Sequence, residues 1–365
     1  MSSQEHAAPS PLGVGILGAG PVTQAIHLPS LARLRDILEV RHIMDIDPAV
    51  AESVAARVGA NFSTSVEELL ADPAVQIVAI CSPHQFHAVQ VIAACRAGKK
   101  AVLCEKPFAM NGEEAAAIAA VSAETGVPIV VGAMHTFDPG WLAAEAAWGS
   151  LPEQVHTVRS SIVLPPNPRF EDFATEIVGR APAAPSATGK ASGPESAAVK
   201  AMLTGGVMGL AIHDLPLVRR FAPDFRDVEV LYARTVLPFG YVISLRAGAV
   251  SIELRAAMNG TWEPSWTFEA IGDDASLSID FTPSYVHAGS ATARIRTAAS
   301  TKVLGPFGHN GYEGEWRKLA DIANGTGTAP SPETLIHDLE FALAIADAAA
   351  ACVDAGDAAF EAASA

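Results

Sequence analysis

Over the first 135 residues, short apolar runs alternate with helical periodicity, and a glycine turn closes the first run. Leu12–Leu17 reads as a buried strand, Gly18-Ala19-Gly20 as the turn, and Val22 to Leu34 as a helix. Further strand-like runs follow at Val40–Met44, Ile77–Cys81, Ala101–Cys104 and Ile129–Val131. Helical patterns lie between them at Pro48–Val58, Val66–Ala71, His87–Ala97 and Gly112–Thr125. Such alternation predicts an α/β fold with a doubly wound parallel sheet, because each parallel strand needs a crossover to bring the chain back. Residues 61–64 read as a small-residue link before the third unit.

The turn has the chemistry of a dinucleotide site. Gly18 permits a tight turn, Gly20 lets backbone approach a pyrophosphate, and the helix that starts at Pro21 and Val22 offers unpaired N–H groups from Val22 onward. A short glycine pattern alone is a weak signal, and its place between strand and helix strengthens it. Thr23 or Gln24 stands where the fingerprint has its third glycine or alanine, so a larger side chain must fit there. The second strand ends at Asp45, whose carboxylate can accept from both ribose hydroxyls and would repel a 2′-phosphate. That favours NAD over NADP; the alternative reading of Asp45 is a cap on the turn before Pro48.

With 365 residues, 50% of them hydrophobic and 18% charged, the chain can bury two sizeable cores. Asp and Glu number 40 against 24 Lys and Arg, a formal charge of −16. Such a surface repels phosphodiesters and anionic lipid, so neither nucleic acid nor membrane is an expected partner. The four cysteines have no paired spacing and read as reduced structural thiols. A polar start and the lack of a membrane-length apolar run predict a cytoplasmic protein.

After His135 the pattern becomes one of longer alternating runs: Val155–Val163, Val228–Leu237, Tyr241–Leu245, Val250–Met258, Trp262–Ile271 and Leu277–Phe281. These predict a mainly antiparallel sheet, with Asn259-Gly260 as a turn between two strands. Arg180 to Ser196, rich in Ala, Pro, Gly and Ser, reads as a mobile insertion, and Trp316–Ala323 and Thr334–Asp354 read as helices. The expected organisation is a polar tail at 1–11, an NAD-binding Rossmann domain at 12–134, and a substrate and oligomerisation domain at 135–365.

The chemical pieces recur in a fixed order: Gly18-Ala19-Gly20 with Asp45; Ser82-Pro83-His84-Gln85-Phe86-His87; Ala97-Gly98-Lys99-Lys100 before Ala101 to Cys104 and Glu105-Lys106-Pro107; and Gly205-Gly206 followed by His213-Asp214. As an ordered set they resemble the glucose-fructose oxidoreductase, inositol dehydrogenase and MocA (Gfo/Idh/MocA) family over nearly the whole chain. The resemblance implies a Rossmann domain joined to an open antiparallel sheet, and NAD-dependent oxidation of a sugar, sugar derivative or cyclitol hydroxyl, or its reverse. It assigns Lys106 to the substrate hydroxyl and the nicotinamide ribose, Glu105 to orienting local groups, and His213 to proton transfer. The Lys-Pro peptide of such proteins is often cis. Outside that context Lys106 reads as a solvated strand-end lysine and His213 as a core histidine.

Ser82, Pro83 and His87 are candidates for the nicotinamide end, His87 also as the start of a helix. His135, Asp138, Asp214 and Tyr312 are candidate substrate contacts; Phe137 and Trp141 are further cleft candidates, and helix-start or capping roles stay open for Asp138, Tyr312 and Glu313. No metal-ligand spacing is present. Family members usually carry Asp four residues before the histidine and Gly two before it, where this chain has Gly209 and Ala211, and Pro216 stands where a second Asp is common. Either Asp214 or Asp138 serves instead, or the reaction differs. Two other readings follow: redox-neutral glycoside cleavage with recycled NAD, and a non-catalytic NAD-binding regulator. Apolar strands exposed on an open sheet face predict a homodimer or homotetramer.

Overall fold

The structure, a computed structural model, describes residues 10–179 and 195–364. The expected tail at 1–11 and insertion at about 180–196 lie, apart from their last two residues, outside the described residues. Six strands, β1 (Leu12–Leu17), β2 (Leu38–Met44), β3 (Asn61–Ser63), β4 (Ile77–Ile80), β5 (Ala101–Glu105) and β6 (Ile129–Gly132), form a parallel sheet in the order β3-β2-β1-β4-β5-β6. The apolar runs of β1, β4, β5 and β6 are continuous because both faces are covered. Ile77, Ala79, Ala101 and Leu103 join one core and Val78, Ile80, Val102 and Cys104 the other.

The residues read as a link at 61–64 form β3, a short edge strand whose first two residues are exposed. The segment after the glycine turn departs from a uniform helix: Thr23–His27 is π-helical before an α-helical turn at Leu28–Ala32. Pro48–Val58, Val66–Ala71 and Gly112–Thr125 are helices with the expected bounds. Asp47, and not Asp45, caps the helix before Pro48, accepting from the Ala49 and Val50 amides.

The second sheet has eight strands: β7 (Val155–Leu164), β8 (Val228–Thr235), β9 (Phe239–Ala247), β10 (Val250–Met258), β11 (Ser265–Gly272), β12 (Ala275–Phe281), β13 (Thr292–Thr297) and β14 (Thr301–Leu304). Their order is β14-β13-β12-β11-β7-β10-β9-β8, antiparallel except for β7 with β10. Asn259-Gly260 makes no hairpin, since β10 and β11 lie on opposite sides of β7. The sheet's inner face carries Val158, Ile162, Leu245, Ile252, Leu254 and Phe268, packed under the helices Glu195–Gly209 and Pro332–Ser364.

The outer face is not apolar, which corrects the ground given for oligomers. It presents Arg159, Arg246, Glu253, Arg255 and Asp280, and Arg159 lies opposite Glu253 on one side and Glu269 on the other. The alternation that buries one face gives the other to charge. The helix Gly311–Ala323, which starts before the expected Trp316, packs on the first sheet through Trp316, Leu319 and Ala320. All four cysteines are free, and burial pushes the Cys95 thiol up to about 11. No helix among the described residues is long and apolar enough to cross a membrane.

Phe268 is fully buried in β11, with the Trp141 and Phe221 rings 5.8 and 5.9 Å away. Phe268→Ala should lower unfolding free energy by about 3–5 kcal/mol, through lost transfer and an unfilled cavity, read as a shifted urea midpoint.

Candidate active site

β1 and β4 lie side by side while their crossovers leave in opposite directions, so a crevice opens at their carboxyl ends. The glycine turn lies there. Gly18 has φ +94°, and a Cβ on it would stand 2.7 Å from the Cys81 carbonyl oxygen. Nothing lies within 4 Å of a Cβ built on Gly20, so its outer side is open for a phosphate. The Ala19 amide donates to Asp45 Oδ2 at 2.8 Å, and the Asp47 amide to Oδ1 at 3.0 Å. Asp45 thus braces the turn and puts a negative charge at the end of β2. The cradle fits a dinucleotide.

Thr23 and Gln24, the departures from the glycine fingerprint, are both used. Thr23 Oγ1 donates to the Gly18 carbonyl at 2.6 Å. Gln24, 2% exposed, donates to the carbonyls of Ala19 and Val178 and accepts from the Val178 amide and Arg57. A segment that follows β7 is thereby tied to the turn.

A cavity of about 180 Å³ lies between the sheets. From the first sheet it is lined by Val22, Cys81, Ser82, His84, Glu105 and Lys106; from the second side by Gly209, His213 and Trp266, with Tyr312 from the Gly311–Ala323 helix. The Lys106–Pro107 peptide is cis. Lys106 Nζ donates to the Gly209 carbonyl at 3.0 Å, a contact across 103 residues of chain. Burial lowers the affinity of Lys106 for its proton, and the Glu105 carboxylate opposes that shift.

His213, 9% exposed, has Nδ1 3.1 Å from Met134 Sδ. A thioether can only accept, so the ring proton sits on Nδ1 and Nε2 keeps its lone pair. Nε2 takes no partner among the described residues. Burial, then Lys106 and His135, hold the ring well below its ordinary pKa and therefore neutral.

The other candidates divide. Tyr312 reaches the cavity, and the helix cap is Asn310, accepting from the Glu313 amide; Glu313 itself pairs with Arg33 at 2.6 Å. Ser82 lines the cavity and its hydroxyl donates to Gln90. Pro83 precedes a 3₁₀ turn that brings in His84, which the reading of the motif did not single out. His87 is buried outside the cavity, its ring nitrogens 2.8 Å from the carbonyls of Pro107 and Ser82, where it ties two loops together. Asp138 caps the helix Pro139–Glu145 and accepts from the Ala291 amide, away from the cavity.

Asp214 is 0% exposed and receives His135 Nδ1 at 2.6 Å, Ser160 Oγ at 2.6 Å and Trp266 Nε1 at 2.7 Å. His135 stacks on Phe281 at 3.7 Å. The Asp214–His135 pair therefore forms the wall behind Trp266, and neither aspartate replaces an acid at position 209. Asn167, Ser284 and Tyr285 line the cavity without having been foreseen. They stand in loops beyond β7 and β12, and no local pattern marks them.

Behind Lys106 lies a second unforeseen group. Glu105 Oε1 receives His27 Nε2–H at 3.0 Å, and Trp316 Nε1–H donates to His27 Nδ1 at 3.2 Å. Glu315 lies beside them, 0% exposed, with both carboxyl oxygens unpartnered. His27, Glu105 and Glu315 are close enough to share a metal ion, with ligand atoms within 4.8 Å. The indole N–H opposes that use, since it fixes the ring proton on the nitrogen a metal would need. Burial, opposed by His27 and reinforced by Glu105, drives Glu315 well above its ordinary pKa of 4.5, so the folded protein holds it as a neutral acid. A carboxyl raised in the folded state contributes fully below 4.5 and loses that contribution as pH rises through the folded value. Glu315→Gln should therefore gain stability relative to the parent chain as pH rises from 4.5 towards the folded value, read as a melting-temperature difference that widens over that range and then levels off. Parallel melting curves from pH 4 to 9 would exclude a neutral acid.

Residues 12–133 match the family described as "Oxidoreductase family, NAD-binding Rossmann fold" (Gfo/Idh/MocA). An inositol 2-dehydrogenase of Acidothermus cellulolyticus is 25% identical over 330 residues, 87% of this chain and 86% of that protein. Among solved structures, KijD10, a 3-ketoreductase from Actinomadura kijaniata in complex with NADP and TDP-benzene, superposes with a TM-score of 0.69 at 19% identity, covering 93% of this chain and 98% of that one. The UDP-N-acetylglucosamine 3-dehydrogenase GnnA from Acidithiobacillus ferrooxidans gives 0.69 at 19% identity over 94% and 99%. At that identity these two speak for the fold alone. Glycine turn, parallel sheet and likeness to a dehydrogenase over 87% of the chain agree, and together they support the Gfo/Idh/MocA oxidoreductase family, whose model residues 12–133 match.

Proposed function

We propose that this chain transfers a hydride between NAD and a carbinol or keto carbon of a sugar, sugar derivative or cyclitol, with residues 12–134 holding the cofactor and 135–365 most of the substrate. One observation carries the reading: an ammonium from the first sheet and an unpartnered imidazole nitrogen from the second side line one cavity beside the glycine cradle. The inositol 2-dehydrogenase relative supports the substrate class. The cradle, with Gly18, Gly20, Pro21, Val22 and Asp45, would hold NAD, which when bound accepts or returns a hydride at its nicotinamide ring.

In the oxidative direction His213 Nε2 takes the hydroxyl proton. Lys106 donates an N–H to the oxygen as it gains alkoxide character, and Glu105 holds the Lys106 amide through Oε2 at 3.2 Å. The C–H pair leaves as hydride, the carbon becomes a ketone, and the proton on His213 passes to solvent. Cofactor reduction then accounts for both electrons. The neutral state of His213 suits it to accept; in reduction the imidazolium would return the proton.

Absorbance of reduced nicotinamide over a panel of polyols and ketoses tests the reading, which fails if no member reacts with protein shown to bind NAD. Lys106→Met should lower kcat by about 10²–10³-fold and His213→Asn by about 10²–10⁴-fold, with NAD affinity changed less than about threefold. Asp45→Ser should raise NADP affinity relative to NAD by about tenfold through the lost repulsion. Equal loss of binding and turnover in both the Lys106 and His213 variants would favour a binding protein over an enzyme.

A further inference from the structure

A second cavity, of about 460 Å³, backs onto the catalytic one and has more than twice its volume. Lys106 lines both; Ile212 lines the second, and His213, its neighbour in sequence, lines the first. The partition between the two cavities therefore runs through both residues assigned to hydride chemistry. Phe137 and Trp141, cleft candidates that stand outside the catalytic lining, meet in this second cavity with Phe108, Pro216, Leu335 and Leu339. Its volume lies in the range of small-ligand sites, roughly 300–1,000 Å³, and its walls have the apolar and aromatic character such sites use.

The polar end is built from two ion pairs. Arg219 donates to Asp338 and Arg220 to Glu145, so consecutive residues ending the helix Leu215–Arg219 reach the helices Pro332–Ser364 and Pro139–Glu145 on either side. All four side chains line the cavity. A ligand carrying one charge is drawn by one member of each pair and repelled by the other. A zwitterion that spans the two pairs is drawn at both its ends, and walls partly shielded from water strengthen each attraction. Burial raises the Asp338 carboxyl above its ordinary range against the opposing pull of Arg219, so an ammonium laid beside it offsets a desolvation cost. At the other end the guanidinium fork suits a carboxylate.

We infer that this second cavity is a binding site for an apolar α-amino acid, of the phenylalanine or leucine kind, with its ammonium on Asp338, its carboxylate on Arg219 and Arg220, and its side chain among Phe108, Phe137 and Trp141. Binding involves no covalent change. The inference does not rest on the hydride-transfer reading, because the two cavities are separate and share only Lys106.

Calorimetric titration of the full-length, NAD-loaded protein with L-phenylalanine, phenethylamine and 3-phenylpropionate tests it, since the three share a ring and differ in charge. L-Phenylalanine should bind at least about tenfold tighter than either analogue, the scale of one charge-assisted hydrogen bond. Asp338→Asn should weaken L-phenylalanine and phenethylamine by about tenfold and spare 3-phenylpropionate; Arg220→Gln should weaken L-phenylalanine and 3-phenylpropionate by about tenfold and spare phenethylamine. Thr334→Trp, at an exposed position of the lining, should abolish binding by filling the cavity while NAD affinity stays within about threefold of the parent chain. An analogue that matches L-phenylalanine, losses that do not follow the charge, binding that survives Thr334→Trp, or no saturable binding would each overturn the inference. None of these outcomes touches the hydride reading, which stands or falls on NAD reduction.

Discussion

The carboxylate of Glu105 is the point on which the rest of the structure turns. It closes β5, holds the Lys106 amide with one oxygen and receives His27 with the other. His27 in turn accepts from Trp316, 289 residues away. The end of a central strand, the helical segment after the glycine turn and a helix from the far end of the chain thus share one buried polar joint. Such a joint leaves little freedom in where Lys106 stands, because moving it would strand a buried acceptor or donor at a cost of about 1–3 kcal/mol each. A neutral Glu315 keeps the group tolerable: Glu105 carries the charge, His27 and the Lys106 ammonium face it, and a second ionised carboxylate would leave the group without balance.

Much of the fold was legible in the sequence because burial on two faces writes continuous apolar runs and burial on one face writes alternation. β1, β4, β5 and β6 show the first pattern and β7, β9 and β10 the second. Three strands were missed: β13 alternates over only four residues, Thr292 to Ile295, and β3 and β14 lack either signature. β3 has three residues with two exposed, and all four residues of β14 keep some exposure on an edge, so pairing and not burial defines them. Asn259-Gly260 misled for a related reason. Turn chemistry is local, while the choice between pairing β11 with β10 or with β7 is made by the core.

The site divides along the same line. Gly18, Asp45, Lys106 and His213 sit at strand ends or in short motifs whose neighbours in sequence are also neighbours in space. Asn167, Ser284 and Tyr285 arrive from loops positioned only after the second sheet has formed. His27, Glu105 and Glu315 meet only because a helix from the C-terminal part docks on the first sheet. Asp214 shows the converse hazard. Adjacent to His213 in sequence, it points the opposite way, because successive residues of the 3₁₀ turn Ala211–His213 and the helix after it face different sides.

Gln24 carries the last step. A glycine or alanine at the contact between the first helix and its strand would allow close packing and nothing more. Here the amide reaches past that contact to make a paired hydrogen bond with the backbone of Val178, 154 residues on, while also bonding the Ala19 carbonyl within the phosphate turn. Arg57 adds a bond to the Glu176 carbonyl at 2.9 Å. The π-helical turn at Thr23–His27 follows from the same demand, since its wider spacing accommodates buried polar side chains at Thr23, Gln24 and His27 that a regular α-helix would carry in a different register. Displacing residues 175–179 would leave a buried amide with donors and acceptors unmet directly beside the turn built for a pyrophosphate. The segment following β7 and the glycine turn are therefore one mechanical unit, and cavity-lining residues from that segment, such as Asn167, are registered against the turn by hydrogen bonds to backbone and not by packing alone.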